Sequence, residues 1–135
     1  MVLGLLLLMA CEATPPLTDP NGCSDAEASR CAKATRAAQE LLDIHAACRT
    51  GEECVAVSQP DLGIPCSPTL LFYCPFAVNE RTDVAAFLAR ASQLRADAEV
   101  CPKCGGPCAI PVCVATELLR PVCDTVAGRC RLVLK

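Results

Sequence analysis

Cysteine is the residue that most constrains the fold of this chain, because 13 of its 135 residues are cysteines. The large aromatic side chains that normally fill a small core are scarce, with no tryptophan, one tyrosine and three phenylalanines. Cysteine at this density in a short chain is typical of exported proteins that are cross-linked by disulfides. The composition therefore predicts a small exported domain in which disulfides compensate for a modest core.

The first eleven residues supply a route for export. Residues 1–10 form an uncharged apolar run, which is too short to cross a bilayer as a helix of about 20 residues but matches the apolar h-region of a secretory signal. It ends in Leu8-Met9-Ala10-Cys11, which resembles the lipobox of bacterial lipoproteins. The resemblance implies a signal peptide at residues 1–10, lipid attachment at Cys11, and a lipid-anchored position in the cell envelope outside the cytoplasm.

The remaining cysteines are even in number, as a set of six disulfides requires. A thirteenth thiol would otherwise be left unpaired, so the parity supports a separate role for Cys11. The sequence leaves the pairing open, because twelve cysteines can be joined in roughly ten thousand ways. The twelve expected disulfide cysteines are Cys23, Cys31, Cys48, Cys54, Cys66, Cys74, Cys101, Cys104, Cys108, Cys113, Cys123 and Cys130.

A spacer and one domain are expected to follow the lipid site. Residues 12–22 contain three prolines and a glycine and little that could be buried, so we predict an extended tether there and a single disulfide-rich domain at 23–135. The net charge of −3 gives no basic field for nucleic acid. The expected partners are the membrane, through the lipid, and a protein or peptide ligand.

Two helices are predicted. The first begins at the capping box Ser24-Asp25-Ala26-Glu27, runs to about residue 48 and is stopped by Gly51, and one of its faces carries Cys31, Ala34, Ala38, Leu41, His45 and Cys48. The second is capped by Asn79 and ends near Val100. Its apolar stripe consists of Val84, Phe87, Leu88, Ala91, Leu94 and Ala98.

Short apolar or β-branched segments predict strands at residues 53–58, 110–116, 120–124 and 129–134. A four-residue turn at 125–128 would place Asp124 beside Arg129 and Cys123 beside Cys130. Those two cysteines could bond to each other, which is tight across paired strands, or reach cysteines of the helices. The expected fold class is α+β: a small disulfide-rich domain with two helices packed on an antiparallel sheet of three to four strands.

The sharpest local motif is Cys101-Pro102-Lys103-Cys104-Gly105-Gly106, which resembles the knuckle of zinc ribbons and rubredoxins. A complete zinc site needs a second ligand pair, and Cys108 and Cys113 follow too closely to form a second knuckle. The motif also has the spacing of thiol-disulfide oxidoreductases, but it follows a predicted helix instead of preceding one. Oxidation outside the cytoplasm favours disulfides, so we expect no metal and no cofactor.

His45 is the only histidine in the chain. On one helix face with Cys31 and Cys48, it could join a metal site or activate a thiolate. The simpler interpretation is a half-buried helix residue whose ring is hydrogen bonded locally.

The segment between Cys66 and Cys74 has two interpretations. If these cysteines bonded to each other, the closed loop would resemble a Bowman-Birk inhibitor loop in spacing and would stabilise the fold by about 2.5 kcal/mol. Pro68 would then occupy the position of the specificity side chain, which departs from that family. Leu70, Leu71, Phe72 and Tyr73 would either fill the core or form an exposed contact patch.

These observations favour a lipid-anchored, extracytoplasmic binding or interaction module that is not an enzyme. One alternative is a zinc- or copper-binding domain that uses Cys101, Cys104 and neighbouring thiols. Another is a protease-inhibitor-like protein that presents the Cys66 to Cys74 loop. The whole chain resembles the cysteine-rich lipoproteins of bacteria, and this resemblance implies no particular activity.

Overall fold

A computed structural model describes residues 22–67, 71–105, 108 and 110–135 of the chain. The predicted signal peptide, Cys11 and nearly all of the tether lie outside the described residues. The order of elements is α1 (Asp25–Ala46), β1 (Cys54–Val57), β2 (Phe76–Asn79), α2 (Val84–Asp97), α3 (Cys101–Gly105), β3 (Leu119–Asp124) and β4 (Arg129–Leu134). The fold is small and α+β, as the sequence predicts.

Helix α1 begins where the capping residue predicts. The Ser24 hydroxyl accepts a hydrogen bond from the Glu27 amide at 3.1 Å, which satisfies one of the free amides of the first turn. The helix ends at Ala46, two residues before the predicted end at about residue 48, because the backbone becomes extended at Ala47. Gly51 does have a left-handed φ of 84°, but it lies in the turn that follows the helix.

Helix α2 is capped by Asp83, not by Asn79. The Asp83 carboxylate accepts from the Ala86 amide at 3.1 Å, whereas Asn79 is the last residue of β2. The predicted stripe is confirmed, since four of its residues are buried and Val84 and Leu88 pack partly buried against them. Small buried residues lie where α1 contacts α2 and the turn that follows α2, namely Ala34, Ala38, Ala91 and Ala98.

The strands form two separate two-stranded antiparallel sheets, β1–β2 and β3–β4. The predicted single sheet of three to four strands is therefore wrong. Residues 110–115 are described without strand structure, and Pro111 there has no amide to donate to a sheet. The predicted hairpin is confirmed, because Cys123 pairs with Cys130 and Asp124 with Arg129 in the β3–β4 register.

The main core lies between the two helices and the β1–β2 sheet. Its largest fully buried side chains are Ile64, Val78, Phe87 and Cys101. The three phenylalanines of the chain meet there, since the ring of Phe87 lies 5.7 Å from that of Phe72 and 5.6 Å from that of Phe76. The few aromatic residues are thus concentrated in one place, where each buries the most surface.

A second buried cluster lies between the two sheets and has a different composition. It consists of Cys48, Cys54, Ala77 and Cys130, with Cys123 and Leu132 packed against it partly buried. Sulfur atoms take the place that aliphatic carbons hold in the main core. We call this group the sulfur cluster.

Six disulfides join the twelve cysteines of the domain, with Cα atoms between 4.9 and 6.0 Å apart. They occur as three neighbouring pairs, each of which connects the same two stretches of chain twice. The bonds are Cys23–Cys104 with Cys31–Cys101, Cys48–Cys123 with Cys54–Cys130, and Cys66–Cys108 with Cys74–Cys113. Cysteine bonding on this scale is typical of an oxidising, extracytoplasmic location.

Within the described ranges, no helix combines the length and apolar character that a membrane span requires.

Candidate ligand-binding cleft

An open cleft lies where α1 ends, beside the connection from β2 to α2. Its volume is about 680 Å³. The cleft is lined by two stretches of chain, within residues 44–52 and 79–83, and by Gly128 of the β3–β4 turn, whose carbonyl accepts from the Cys48 amide at 3.0 Å. The lining includes His45, Arg49, Glu52, Asn79, Arg81 and Asp83. Polar and charged side chains from distant parts of the sequence therefore meet at one site.

Glu52 organises one wall of this cleft. Its Oε2 accepts from the Arg49 amide at 2.8 Å and from the Asn79 side-chain amide at 2.9 Å, while its Oε1 lies 3.6 Å from the Arg81 guanidinium. Asn79 also donates to the Ala47 carbonyl at 3.1 Å. The sheet, the turn after α1 and the segment before α2 are thus held together around one carboxylate.

The hydrogen bonds around Glu52 favour its charged form. The Arg49 amide is the largest cause that lowers the pKa of this carboxyl from its ordinary value of 4.5, and Asn79 and the Arg81 charge act in the same direction. Asp83 is also engaged, because it caps α2. The cleft thus holds the guanidinium groups of Arg49 and Arg81 beside two carboxylates that already accept hydrogen bonds from the protein, and Arg81 itself lies 3.6 Å from Glu52.

His45 lies on this cleft and joins neither group of candidate metal ligands found among the described residues. It is half-buried, and its ring meets the edge of Phe87 with centroids 5.3 Å apart. Its predicted companions, Cys31 and Cys48, are both bonded to other cysteines. Thr82 donates to the backbone carbonyl of His45 at 3.5 Å, so its hydroxyl is directed to the main chain and not to the imidazole.

The Cys101 to Gly106 motif holds neither a dithiol nor an internal disulfide. Cys101 bonds to Cys31 of α1, and Cys104 bonds to Cys23 just before α1. The motif lies largely on the short helix α3, which these bonds fix to the first turns of α1. Sulfurs in disulfides are not thiolates, so they offer none of the ligands that zinc or cuprous copper requires.

Two groups of side chains in the described residues have the proximity of metal ligands. One is Cys48, Cys54 and Cys130, and the other is Cys23, Glu27 and Cys104, with candidate ligand atoms within 4.8 Å of one another. Every cysteine in both groups takes part in a disulfide. The proximity therefore follows from neighbouring disulfides.

The closed Cys66 to Cys74 loop does not form, because Cys66 bonds to Cys108 and Cys74 bonds to Cys113. The inhibitor-like presentation that depended on it is therefore wrong. Of the four residues proposed as a contact patch, Leu71 and Phe72 are buried at 4% and 3% exposure, and Tyr73 is half-buried. They contribute to the core and not to an exposed patch, whereas Leu70 lies outside the described residues.

A left-handed backbone explains how Phe72 reaches the core. Its φ is 65°, which is unfavourable for a residue with a side chain. The conformation is held by a hydrogen bond from the Leu71 amide to the buried Ser67 hydroxyl at 2.8 Å and by one from the Ile64 amide to the Leu71 carbonyl at 2.9 Å. An apolar run alone does not reveal this turn.

Sequence reasoning found His45 but missed the residues around it. The sequence patterns give no role to Arg49, Glu52 or Arg81, and they predict Asn79 as a helix cap. The four-residue strand β2, which positions Asn79, is too short to leave a period-two pattern. No local signal joins these residues, because they are brought together only by the tertiary fold.

Comparisons of the chain with protein-family models, curated proteins and solved structures find no match.

Proposed function

We propose that this protein is an extracytoplasmic binding module, anchored to a membrane by lipid at Cys11, that acts by binding a ligand and not by catalysis. The observation that carries the proposal is the pairing of the cysteines. All twelve cysteines of the domain bond among themselves, so none is available to bond with Cys11 within the chain. A lipid on the Cys11 sulfur accounts for the odd number of cysteines in the chain.

The lipid anchor is tested by replacing Cys11 in the full-length chain. We expect a Cys11→Ser variant to lose the acyl mass and to leave the membrane fraction, because acylation requires the thiol. Thr14→Ala, three residues further along, is the matched control and should remain acylated and membrane-bound. Acylation of the Cys11→Ser variant, or wild-type protein without acyl mass, would contradict the anchor.

The cleft beside His45 is the binding site that the geometry favours. Because Glu52 and Asp83 already accept hydrogen bonds from the protein, the groups of the cleft left to donate to a ligand are the guanidinium of Arg49 and that of Arg81, which also lies 3.6 Å from Glu52. Guanidinium groups bind carboxylates well, since two parallel donors match the two oxygens. The favoured ligand is therefore a peptide or small molecule with an anionic group.

The ligand class is tested by NMR titration of the detergent-solubilised protein with two probes, N-acetyl-trialanine and its C-terminal amide. We expect the carboxylate probe to shift the resonances of His45, Arg49 and Arg81 and the uncharged amide to leave them unchanged. Arg49→Gln combined with Arg81→Gln should abolish the response, whereas Arg36→Gln, on α1 away from the cleft, should preserve it. Equal responses to both probes would exclude carboxylate recognition.

The proposed absence of catalysis is supported by the state of the reactive groups. The sulfurs of the domain are in disulfides, and the Thr82 hydroxyl is bound to a backbone carbonyl. Among the described residues, no hydroxyl or thiol is hydrogen bonded to the His45 ring, so His45 has no nucleophile to activate as a general base.

A further inference from the structure

Exposed apolar side chains are concentrated in one part of the described chain. Of seven exposed large hydrophobic residues, five belong to residues 110–118 and to the strand end that adjoins them. The Lys135 amide donates to the Leu118 carbonyl at 3.0 Å, which connects the end of β4 to this segment. We call the five residues the apolar edge: Ile110, Val112, Val114, Leu118 and Leu134.

The first three residues of the apolar edge are exposed, although Ile110 and Val114 also line a shallow cleft beside Tyr73. Ile110, Val112 and Val114 are exposed at 83%, 99% and 48%, while Pro111 and Cys113 between them are half-buried. Alternation of this kind is expected of an extended chain, in which successive side chains face opposite sides. One side of the segment contacts the domain, and the other presents only aliphatic groups.

Two disulfides hold this segment although it gives no buried residue to the core. Cys66–Cys108 and Cys74–Cys113 bind it to the 66–74 region, and the Cys113 sulfur also lies 3.6 Å from the Tyr73 carbonyl. Because two disulfides fix the segment although none of its residues is buried, we infer that they serve to hold its outer side exposed. The only charged residue between Cys104 and Leu119 is Glu117, so this side is also nearly neutral.

The tether enters the domain close to this segment. Cys23, where the tether ends, bonds to Cys104, and Ile110 follows Cys104 by six residues, which span at most about 22 Å. The eleven residues between Cys11 and Cys23 cannot extend beyond about 40 Å. The apolar edge is therefore within reach of any membrane that holds Cys11.

We propose that the apolar edge rests in the interfacial layer of the membrane in which Cys11 is anchored, and that this contact orients the domain. The inference rests on the proposed lipid anchor and adds a second, non-covalent contact to it. Aliphatic side chains on a nearly neutral surface match the boundary between headgroups and acyl chains.

The orientation leaves the ligand-binding cleft accessible. The tether joins the start of α1, whereas the cleft lies at its end, and a helix of 22 residues is about 33 Å long. Gly128 of the cleft lies in the β3–β4 turn, at the opposite end of that hairpin from Leu134. The membrane contact and the cleft thus occupy different ends of the molecule.

The absence of tryptophan from the chain allows a direct test. Val112 and Val126 are both 99% exposed, and Val126 lies in the β3–β4 turn, away from the apolar edge. Full-length lipidated Val112→Trp and Val126→Trp variants are reconstituted into phosphatidylcholine vesicles whose acyl chains carry bromine, which quenches tryptophan fluorescence within the bilayer. We expect a blue-shifted emission and several-fold stronger quenching for Val112→Trp, and water-like emission with little quenching for Val126→Trp.

Three results would overturn the proposal in distinguishable ways. Equal, weak quenching of both variants in protein that carries the acyl mass would exclude membrane contact while preserving the lipid anchor. A blue shift of Val112→Trp without quenching would mean that protein, such as a second copy of the chain, covers the segment. Protein without acyl mass at Cys11 would overturn the anchor together with the orientation.

Discussion

The main core and the sulfur cluster show two ways of stabilising a small domain. The main core buries aliphatic and aromatic side chains from α1, α2, the β1–β2 sheet and the segment that connects β1 to β2, including Ile64 and Phe87. The sulfur cluster buries Cys48, Cys54 and Cys130 around one alanine and holds the β3–β4 hairpin against the remaining fold. The first depends on apolar surface removed from water, whereas the second depends mainly on covalent constraint.

A chain with so few aromatic residues can sustain two buried clusters because only one of them depends on aromatic packing. The three phenylalanines all belong to the main core, and none remains for the hairpin. A two-stranded hairpin is at best marginally stable in water by itself. Two neighbouring disulfides supply the stability that side-chain packing does not give the hairpin. The sulfur cluster should therefore be sensitive to loss of disulfides and the main core to loss of side-chain volume.

The largest expected effect is the removal of both disulfides of the sulfur cluster. When Cys48–Cys123 is intact, removing Cys54–Cys130 by Cys→Ala substitutions opens a ring of about 15 residues and should cost about 3 kcal/mol. Once Cys54–Cys130 has been removed, Cys48–Cys123 closes a much longer ring, so removing it as well should cost about 4 kcal/mol more. Denaturant unfolding measures these free energies for the two double variants, each of which lacks one disulfide, and for the quadruple variant, which lacks both. If the quadruple variant lost no more free energy of unfolding than one double variant, the two disulfides would not stabilise the hairpin as proposed.

The main core should instead be sensitive to side-chain volume. Phe87→Ala removes the ring that meets Phe72, Phe76 and His45, and we expect a loss of about 3 to 5 kcal/mol in the free energy of unfolding. Phe76→Ala is the matched control and should lose less, because Phe76 is only half-buried. Denaturant unfolding measures both losses, and a loss for Phe76→Ala as large as that for Phe87→Ala would contradict a core centred on Phe87.

A smaller effect is expected at Gly63, beside the main core. A Cβ atom at this position would overlap the ring of Tyr73, so Gly63→Ala should destabilise the fold by about 1 to 3 kcal/mol. Gly105→Ala is the control, since no atom lies within 4 Å of the added carbon and alanine favours a helix. Equal melting temperatures for the two variants would exclude the close approach of Tyr73 to Gly63.

The smallest effect concerns the pH dependence of the hairpin. Asp124 accepts from the Ala127 and Val126 amides at 3.1 Å and lies 3.2 Å from Arg131, and the Ala127 amide is the largest cause that lowers the pKa of its carboxyl from 3.8. A lowered pKa stabilises the fold fully above pH 3.8, and this stability is lost as pH falls through the folded-state pKa.

We therefore expect the melting temperature of the wild type to fall more than that of Asp124→Asn as the pH is lowered below about 4. Asp25→Asn is the control, because Asp25 lies outside the hairpin. The prediction fails if Asp124→Asn and the wild type have the same pH dependence throughout this range.

Local features of the fold could be predicted from the sequence. The Ser24 cap, the apolar stripe of α2 and the β3–β4 register depend on neighbouring residues, and the structure confirms all three. The α+β class and the presence of disulfides also follow from composition and pattern.

Features that depend on long-range contacts could not be predicted. The disulfide partners are 39 to 81 residues apart in sequence, so spacing suggested a Cys66–Cys74 loop that does not exist. The cleft draws Glu52, Asn79 and Arg81 from separate segments, which only the fold brings together. Burial of Leu71 and Phe72 depends in the same way on a left-handed turn that the sequence does not show.

The central claim is that the domain is covalently closed on itself and that Cys11 alone remains for lipid. Intact mass spectrometry of protein purified from the envelope fraction, with thiol alkylation before and after reduction, tests it most directly. We predict an acylated mature chain that begins at Cys11, takes up no alkyl group before reduction and takes up twelve after it, as six disulfides require. An unacylated chain, or one whose cysteines are alkylated without reduction, would contradict the account.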